Sequence, residues 1–315
     1  GFDRRDLVPE EEYRGRVLGR HRQWLPYDYE MIAEVGYISD RNFLEQYFES
    51  EYDRAKDHDT SLRLRKYYFN NLFELSAEAQ ANEFYTETQR LPAFDHYLLG
   101  GSILGDRLTW SMHNQVSYAD LNVATSPLDP AQDAITQTPL PGEFDAEGVV
   151  ASTRHEISMP LELGPIKFSP FVSGEASHYG EDATGEPLTR LLGQGGVRAA
   201  LPMWRVDPNV QSSLLNVRGL AHKIEFRGEY FYADSDANLD ELPLYDPLDD
   251  DAQEEFRRRF FFSTFGGGLP ARFDPRNYAF RQGVQRYVTN PSEVIADDLS
   301  QMRLGVHNRW QTKRG

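Results

Sequence analysis

Few of the residues that could do chemistry in this chain have the spacing that the chemistry needs. His155-Glu156 begins like the zinc motif His-Glu-x-x-His, but Met159 stands where the second His belongs. That motif also needs a helix to bring both His to one face, and this context is a strand. No Ser lies in a Gly-x-Ser-x-Gly motif, and the eight His are scattered. We therefore predict no catalytic residue, no metal site, no cofactor and no enzymatic activity.

Two further segments resemble ligand-binding loops and depart from them at decisive positions. "DSDANLDE" (234–241) has oxygen ligands at the first, third and fifth places of a calcium loop, but Leu239 replaces its glycine and Tyr245 its bidentate Glu. A looser cation site would need Asp246 and 249–251 as well, and a solvated acidic loop is the favoured interpretation. "STFGGGLP" (263–270) lacks the Lys-Ser/Thr of a phosphate loop and is interpreted as a loop tip.

The composition excludes several classes of protein. The 315 residues carry a formal net charge of −17, which argues against nucleic-acid binding because phosphates need clustered Lys and Arg. The absence of Cys excludes disulfides and thiol catalysis. The mean hydropathy is −0.62, and no apolar run reaches the roughly 18 residues of a transmembrane helix. A transmembrane barrel stays open, because half of each strand faces a wet lumen.

The stretch "HKIEFRGEYFYAD" (222–234) alternates between charged and apolar residues with a period of two, which predicts a strand with two unlike faces. "LFELSAEAQAN" (72–82), "LTWSMHNQVSYA" (108–119) and "MRLGVHNRW" (302–310) repeat the pattern. We count roughly ten such strands, many of them near the about ten residues that a tilted strand needs to cross a bilayer. The pattern predicts an all-β, antiparallel transmembrane β-barrel. We expect a single domain over 1–315 that is an incomplete segment of a larger barrel.

The connections alternate between tight and long. Gly164-Pro165 predicts a hairpin turn, whereas 122–152 and 234–272 are long, acidic loops, an asymmetry typical of outer-membrane barrels. The glycines at 193, 195 and 196 suggest a bend or bulge. The segment 41–57 fits a short loop helix or a distorted strand end equally well.

These patterns assign two sets of candidate residues. The polar wall facing the lumen is predicted to comprise Lys223, Glu225, Arg227, Glu229, Arg303, His307 and Arg309. Such mixed-sign rows often only pair across strands, and direct contact with cargo or with a plug is the alternative. The lipid-facing and aromatic-girdle set is predicted to comprise Trp110, Tyr118, Phe226, Tyr230, Tyr232 and Trp310.

Three phrases are considered together: "YISDRNFLEQYF" (37–48), "HKIEFRGEYFYAD" (222–234) and "RLGVHNRWQTKRG" (303–315). In their order and spacing they resemble the C-terminal barrel of the LptD family of lipopolysaccharide-assembly proteins, also called organic solvent tolerance proteins. The resemblance runs from about residue 14 to 315. Phe226 stands where the family usually has Pro, so the chain resembles a divergent branch.

The resemblance implies an outer-membrane protein of a diderm bacterium that inserts lipopolysaccharide or a related glycolipid into the outer leaflet. It also implies an LptE-like plug lipoprotein and an LptA-like periplasmic bridge protein as partners, besides membrane lipids. The family's periplasmic domain and terminal barrel strands are expected to lie outside this chain. A porin-like outer-membrane channel, an outer-membrane lipid or glycan hydrolase and a soluble β-sandwich are the alternatives.

Overall fold

The computed structural model describes most of the chain, namely residues 8, 11–52, 58–131, 144–238, 241–243, 245 and 298–313. Over these ranges the prediction of an all-β antiparallel fold is confirmed, because twelve strands join in one antiparallel sheet. The strands are β1 (Arg16–Leu25), β2 (Tyr29–Ile38), β3 (Thr60–Tyr68), β4 (Asn71–Ala79), β5 (Glu87–Ile103), β6 (Leu108–Asn122), β7 (Ala146–Ser158), β8 (Leu161–Leu163), β9 (Ile166–Tyr179), β10 (Leu188–Ser212), β11 (Val217–Ser235) and β12 (Leu299–Lys313).

The strands lie in the sheet in chain order, except that β8 pairs only with β9. β7 and β8 both pair with β9, one after the other, so together they act as one strand interrupted at Met159 and Pro160. Pro160 has no N–H to give to a ladder, while the Met159 N–H donates to the Pro170 carbonyl at 2.9 Å. Among the described residues β1 and β12 do not pair with each other, so the sheet is barrel-like but open.

The connections are tight at one end of the sheet and long at the other, as the sequence predicted. The tight turns are 26–28, 69–70, 104–107, 164–165 and 213–216, and we call their side the short-turn end. The long connections are 39–59, 80–86, 123–145, 180–187 and 236–298, and they define the long-loop end. The predicted hairpin turn at Gly164-Pro165 is confirmed, with Gly164 at φ 61°. The predicted loop 122–152 was too long, since β7 begins at Ala146, and 246–272 lies outside the described residues.

The two faces of the sheet differ in chemistry, and the polar face is the more buried. On the face that we call inner, the following charged residues are less than 10% exposed: Glu30, Asp95, Arg154, Glu156, Glu175 and Arg190. On the opposite, outer face, the following apolar residues are 41–73% exposed: Val35, Leu75, Phe94, Val116, Val172, Leu191, Phe226 and Leu304. A soluble sheet buries its apolar side. Here, within the described ranges, no second layer seals the apolar side.

The segment 41–57, which the sequence left open between helix and strand, begins with two short helices. They are α1 (Phe43–Tyr47) and α2 (Glu49–Tyr52), and residues 53–57 lie outside the described residues. Phe43, Leu44 and Tyr52 are buried together with Ile38 at the end of β2 and with Tyr85. In the described part of the chain no helix has the length and apolar character to span a membrane.

The glycines of β10 do not form the bulge that the sequence suggested as one of two possibilities. The pairing of β10 with both β9 and β11 runs without a shift through residues 192–200, and the only shift between β10 and β11 lies between Asp207 and Gln211. Gly196 instead makes room for aromatic side chains on the inner face. A Cβ at this position would lie 2.7 Å from the Phe231 Cβ and 2.9 Å from the Phe171 Cε1, and closer still to the Tyr230 carbonyl oxygen.

We expect Gly196→Ala to lower the free energy of unfolding by about 1–3 kcal/mol, because a methyl group forced into a packed site displaces its neighbours. Gly193→Ala on the same strand is the matched control, since a Cβ there meets nothing within 4 Å. Urea unfolding of both variants in the same detergent measures the difference. Equal stability of the two variants would contradict the packing role of Gly196.

Candidate functional site

The register between β11 and β12 brings the seven predicted lumen residues onto one face as two adjoining rows. Arg309 is opposite Lys223, His307 is opposite Glu225 and Arg303 is opposite Glu229, while Arg227 is opposite Gly305. This face is the inner face, because Glu229 also pairs with Arg198 of β10, whose side chain reaches the buried Glu156. The structure therefore places the polar residues that were predicted separately from the alternation in β11 and in β12 side by side on one face. Their contact with a cargo stays a prediction.

The six predicted girdle and lipid-facing residues lie on the outer face. Directly paired residues lie on the same face of a sheet, and one row of such pairs crosses five neighbouring strands. It runs from Trp110 through Ile157, Val172 and Gly195 to Tyr232. Tyr118, Phe226, Tyr230 and Trp310 have the same parity in their strands. The row starts near the short-turn end of β6 and finishes near the long-loop end of β11, which is the stagger of tilted strands in a barrel wall.

The spacing of the aromatic residues on the outer face is compatible with the predicted interfacial girdle. Trp110 and Tyr118 are eight residues apart on β6, which is about 26 Å along a strand. At the roughly 40° tilt of barrel strands this becomes about 20 Å, close to the about 25 Å height of the apolar band of outer-membrane barrels. On β12, Trp310 lies toward the short-turn end and stacks on His222, with 3.5 Å between ring centroids. Lipid contact of these residues stays a prediction.

On the inner face, Arg198 links strands β7, β10 and β11. Its Nη1 and Nη2 donate to the Glu156 carboxylate at 2.6 and 3.0 Å, and its Nε donates to Glu229 Oε1 at 3.2 Å. The guanidinium also lies 3.8 Å from the centroid of the Phe171 ring. A bidentate pair of this kind fixes the position of both strands. The sequence analysis did not single out Arg198 or Glu156 as partners, since they are 42 positions apart.

We expect Arg198→Gln to lower the free energy of unfolding by about 2 kcal/mol, because it removes the guanidinium that pairs with the carboxylates of Glu156 and Glu229. Breaking a fully buried pair costs about 3–5 kcal/mol, and Arg198 is 26% exposed. The double variant with Glu156→Gln is expected to recover part of the loss. Arg205→Gln is the control, since its guanidinium is 84% exposed and lies 3.9 Å from Asp207. Urea unfolding measures all three, and a loss in the control equal to that of Arg198→Gln would contradict the assignment.

Toward the long-loop end, a second inner-face network is almost fully buried. Arg190 Nη2 donates to Glu175 Oε1 at 2.9 Å, and the Ser177 hydroxyl donates to the same oxygen at 2.7 Å. Arg154 lies 3.6 Å from the other oxygen of Glu175 and donates to Gln194 Oε1 at 3.0 Å. Such mixed-sign contacts stabilise the pairing of neighbouring strands. Over β7 to β10, the charges of the inner-face side chains thus largely cancel in ion pairs within the sheet.

The region around β8–β12 contains a cavity of about 670 Å³ on this face. We call it the basin. Four of the seven predicted lumen residues line it, namely Arg227, Glu229, Arg303 and His307. The remaining three, Lys223, Glu225 and Arg309, lie in the same rows toward the short-turn end. The sequence analysis missed Glu162, Lys167 and Arg198, which also line the basin. The alternation of residues in β9 could have indicated Lys167.

The basin is locally cationic in a strongly acidic chain. Four cationic side chains line it, Lys167, Arg198, Arg227 and Arg303, against the carboxylates of Glu162 and Glu229. Arg198 is already neutralised by its two carboxylate partners. In the described part of the chain neither Lys167 nor Arg303 forms an ion pair. These two cations lie where an anionic group could be bound through charge-assisted hydrogen bonds.

The inner face is covered at the long-loop end by the start of the connection that follows β11. Leu242, Pro243 and Tyr245 are buried there, and the Tyr245 ring stacks on Tyr179 with 6.5 Å between centroids. Arg90 Nη2 donates to the Tyr245 carbonyl at 3.4 Å. Burial raises the pKa of the Tyr245 hydroxyl, so this group stays neutral. This segment thus covers part of the inner face at the long-loop end.

On the outer face, a hydroxyl, an imidazole and an amide lie together on β6 and β7. Trp110 Nε1–H donates to His155 Nδ1 at 3.2 Å, so the neutral ring carries its proton on Nε2, 3.0 Å from Thr153 Oγ1. The Thr153 hydroxyl in turn donates to Asn114 Oδ1 at 2.6 Å. A nucleophile needs the opposite direction, in which its hydroxyl donates to an unprotonated His nitrogen. The arrangement therefore favours a structural role.

The same hydrogen-bond chain continues onto β5 and β4. Asn114 Nδ2 lies 3.4 Å from His96 Nδ1, and His96 Nε2 lies 3.0 Å from Asn71 Oδ1. Each group gives its proton to the next, so both imidazoles are satisfied in the neutral form. Polar groups on a lipid-facing surface are tolerated when partners within the protein satisfy them. This polar chain is thus compatible with an apolar surrounding.

In the calcium-like segment 234–241, Asp236 and Asn238 have hydrogen-bond partners within the protein. Asp236 Oδ1 accepts from the Leu191 N–H at 2.8 Å, and Asn238 Nδ2 donates to Glu241 Oε1 at 3.0 Å. In the neighbouring 180–187 connection, the Thr184 hydroxyl and nearby N–H groups lower the pKa of Asp182. Over the described ranges no three metal-ligating side chains converge. Asp246, Asp249–251 and 263–270 lie outside the described residues.

Two comparisons of the sequence with known proteins found no relative. A scan of the sequence against models of protein families found no family that matches, and a search of curated proteins found no matching protein.

Proposed function

We propose that this chain is an outer-membrane barrel segment that inserts lipopolysaccharide or a related anionic glycolipid into the outer leaflet. The observation that carries the proposal is the unlike chemistry of the two faces. An exposed apolar surface with aromatic ends lies on one side, and a buried polar wall with a cationic basin lies on the other. Short turns at one end of the sheet and long connections at the other are the arrangement typical of outer-membrane barrels, and they support the proposal.

The arrangement suits the transport of an amphipathic lipid. A charged sugar head cannot cross the hydrocarbon of a bilayer alone, because its charges would lose their hydration. A polar inner wall lets the head stay in water while the acyl chains remain in an apolar environment. Lys167 and Arg303 of the basin supply positive charge for phosphate or carboxylate groups of the head. An LptE-like lipoprotein and an LptA-like bridge protein remain the partners that the sequence resemblance implies.

Two other functions share part of this evidence. A porin-like channel would have the same two faces, but it would conduct ions without retaining a glycolipid. An outer-membrane hydrolase would need an activated nucleophile, and the hydrogen bonds at Thr153 and His155 run in the direction that does not activate one. We therefore propose a transport role without catalysis.

Reconstitution of the protein in phosphatidylcholine vesicles tests the proposal against both alternatives. We expect added lipopolysaccharide to be retained by the protein, with retention that falls as the salt concentration rises because the basin contacts are ionic. A neutral glycolipid with the same acyl chains is the control and is expected to bind more weakly. Steady ion conductance without retention would favour the porin, and release of fatty acid or free sugar would favour the hydrolase.

A further inference from the structure

The hairpin of β10 and β11 extends far beyond its neighbour at the short-turn end. The pairing of β10 with β9 ends at Ala200, opposite Lys167, while β10 continues beside β11 to Ser212. In the described part of the chain, residues 201–212 therefore have no strand on their other side, over roughly 40 Å of extended backbone. At the usual tilt of barrel strands, neighbouring hairpins are staggered by only about two or three residues. We call this unpaired side of β10 the free edge.

The backbone groups that point to the free edge belong to the even-numbered residues. The Leu191 N–H donates to Asp236 Oδ1 at 2.8 Å and the Leu191 carbonyl accepts from the Asp236 N–H at 3.2 Å, so the backbone groups of Leu191 point toward β11. Successive residues of a strand direct these groups to opposite sides. From Leu192 to Asp207 the pairing with β11 has no shift, so the alternation continues past Ala200.

Two prolines limit the part of the free edge that another strand could pair with. Pro202 is at an even position, so it removes an N–H from the free edge and none from the ladder with β11. Proline at such a position is a usual protection of an exposed edge. Pro208 follows Asp207, where the irregularity in the pairing with β11 begins. Between the prolines, Trp204 and Val206 direct their N–H and carbonyl groups outward.

The side chains of this stretch define the strand that would fit. Trp204 and Val206 are 74% and 65% exposed and point to one side of the sheet. Arg205 points to the other side, and its side chain is 84% exposed. Asp207 lies 3.9 Å from the Arg205 guanidinium, which is too far for a hydrogen bond. An added strand would therefore place apolar residues beside Trp204 and Val206 and an acidic residue beside Arg205.

The surrounding charges also favour an acidic partner. Lys223 and Arg309 follow Trp204 in the same row of the sheet, and Lys223 lies 3.8 Å from Glu225, beyond hydrogen-bond distance. The stretch is thus locally cationic in a chain with a net charge of −17. The same charges disfavour a second copy of the chain, because two antiparallel free edges centred on Arg205 would place like charges opposite each other.

The free edge lies at the level of the predicted girdle or beyond it. Arg205, His222 and Trp310 form one row across β10, β11 and β12. In this tilted sheet a row approaches the long-loop end as the strand number rises, so Arg205 lies nearer the short-turn end than Trp310 does. Unpaired backbone groups are tolerated in water and not in hydrocarbon. The free edge is therefore accessible to a partner from the aqueous side.

We propose that residues 204–206 of the free edge bind an extended, acidic segment of another protein by strand addition. Main-chain hydrogen bonds with Trp204 and Val206 supply affinity, and the carboxylate beside Arg205 supplies selectivity. The proposal does not rest on the glycolipid role, since no residue of the basin takes part.

Fluorescence anisotropy of a labelled peptide of five Val-Glu repeats, with the full chain in detergent, tests the proposal. We expect saturable binding that protein-free micelles do not show, and about tenfold weaker binding of five Val-Lys repeats. Val206→Pro removes one N–H from the free edge and leaves the β11 ladder intact, so it is expected to weaken binding about tenfold. Val206→Thr is the matched control, because it keeps the N–H and the β-branched shape. It is expected to bind within about twofold of the unaltered protein.

Arg205→Gln is a second variant for the case in which Val206→Pro does not fold, and it is expected to reduce the preference for Val-Glu over Val-Lys repeats about fivefold. The proposal is overturned if the Val-Glu peptide does not bind, if the Val-Lys peptide binds equally, or if the folded variants bind like the unaltered protein. A tenfold loss in Val206→Thr would show that the side chain and not the edge carries binding, which also overturns it. A dimer in detergent that Val206→Pro dissociates would assign the free edge to a second copy and overturn the proposal as well.

Discussion

Charge reversal of Lys167 and Arg303 together is expected to weaken the binding of lipopolysaccharide to the reconstituted protein about 100-fold. Both side chains line the basin, and neither has an ion-pair partner among the described residues. Each change to Glu replaces an attraction to an anionic group by a repulsion. At the partly screened distances of an aqueous wall this is worth about 1.4 kcal/mol per site, or a factor of about ten. The dissociation constant in phosphatidylcholine vesicles measures the effect.

A matched variant separates a local effect from the change in net charge. Arg107→Glu combined with Arg205→Glu changes the net charge by the same amount, but Arg107 lies in the tight turn 104–107 and neither residue lines the basin. This variant is expected to bind within about twofold of the unaltered protein at physiological salt, where the Debye length is about 8 Å. Equal losses in both double variants would show that overall charge, not the basin, governs binding.

The two faces of the sheet were predictable because strand alternation is local. A period of two assigns each residue to a face without knowledge of its neighbours, and the registers confirm that Lys223, Glu225, Arg227 and Glu229 share one face with Arg303, His307 and Arg309. The basin was only partly predictable, since its shape depends on which strands lie side by side. Lys167 and Arg198 come from β9 and β10, which are far from β12 in the sequence but close to it in the sheet.

The predictions that were wrong or left open concern features that depend on contacts between residues far apart in the sequence. The glycines of β10 suggested a bulge, but the need for Gly196 comes from the rings of Phe171 and Phe231 on the adjoining strands. The segment 41–57 has spacings that fit helix and strand alike, and its burial against Ile38 and Tyr85 is consistent with the helical form. Two helices of 5 and 4 residues are too short to be stable alone, so propensity could not have decided between the forms.

A single charge on the outer face is expected to prevent insertion of the protein into lipid, whereas the same charge on the inner face is expected to be tolerated. Val116 is 46% exposed on the outer face of β6, between Trp110 and Tyr118. Arg at the midplane of a lipid-facing barrel surface costs about 2–4 kcal/mol, with smaller costs nearer the interfaces. Val116 is two residues from Tyr118, so the lower value of about 2 kcal/mol applies, and Val116→Arg is expected to lower the ratio of folded to unfolded protein in vesicles about 30-fold. Heat-modifiable migration of the vesicle-bound protein on a gel measures that ratio.

Gln115→Arg is the matched control, because it places the same side chain one residue away on the inner face. Gln115 is partly buried and lies opposite Asp95 of β5 and Ser152 of β7, so the new guanidinium would lie beside a carboxylate. Its cost is expected to be about 1 kcal/mol, the ordinary size of a destabilising substitution, and therefore smaller than that of Val116→Arg. If the two variants fold equally well in vesicles, the outer face does not contact acyl chains. The aromatic girdle and the glycolipid route would then lose their basis together, since both depend on hydrocarbon lying against the apolar side of the sheet.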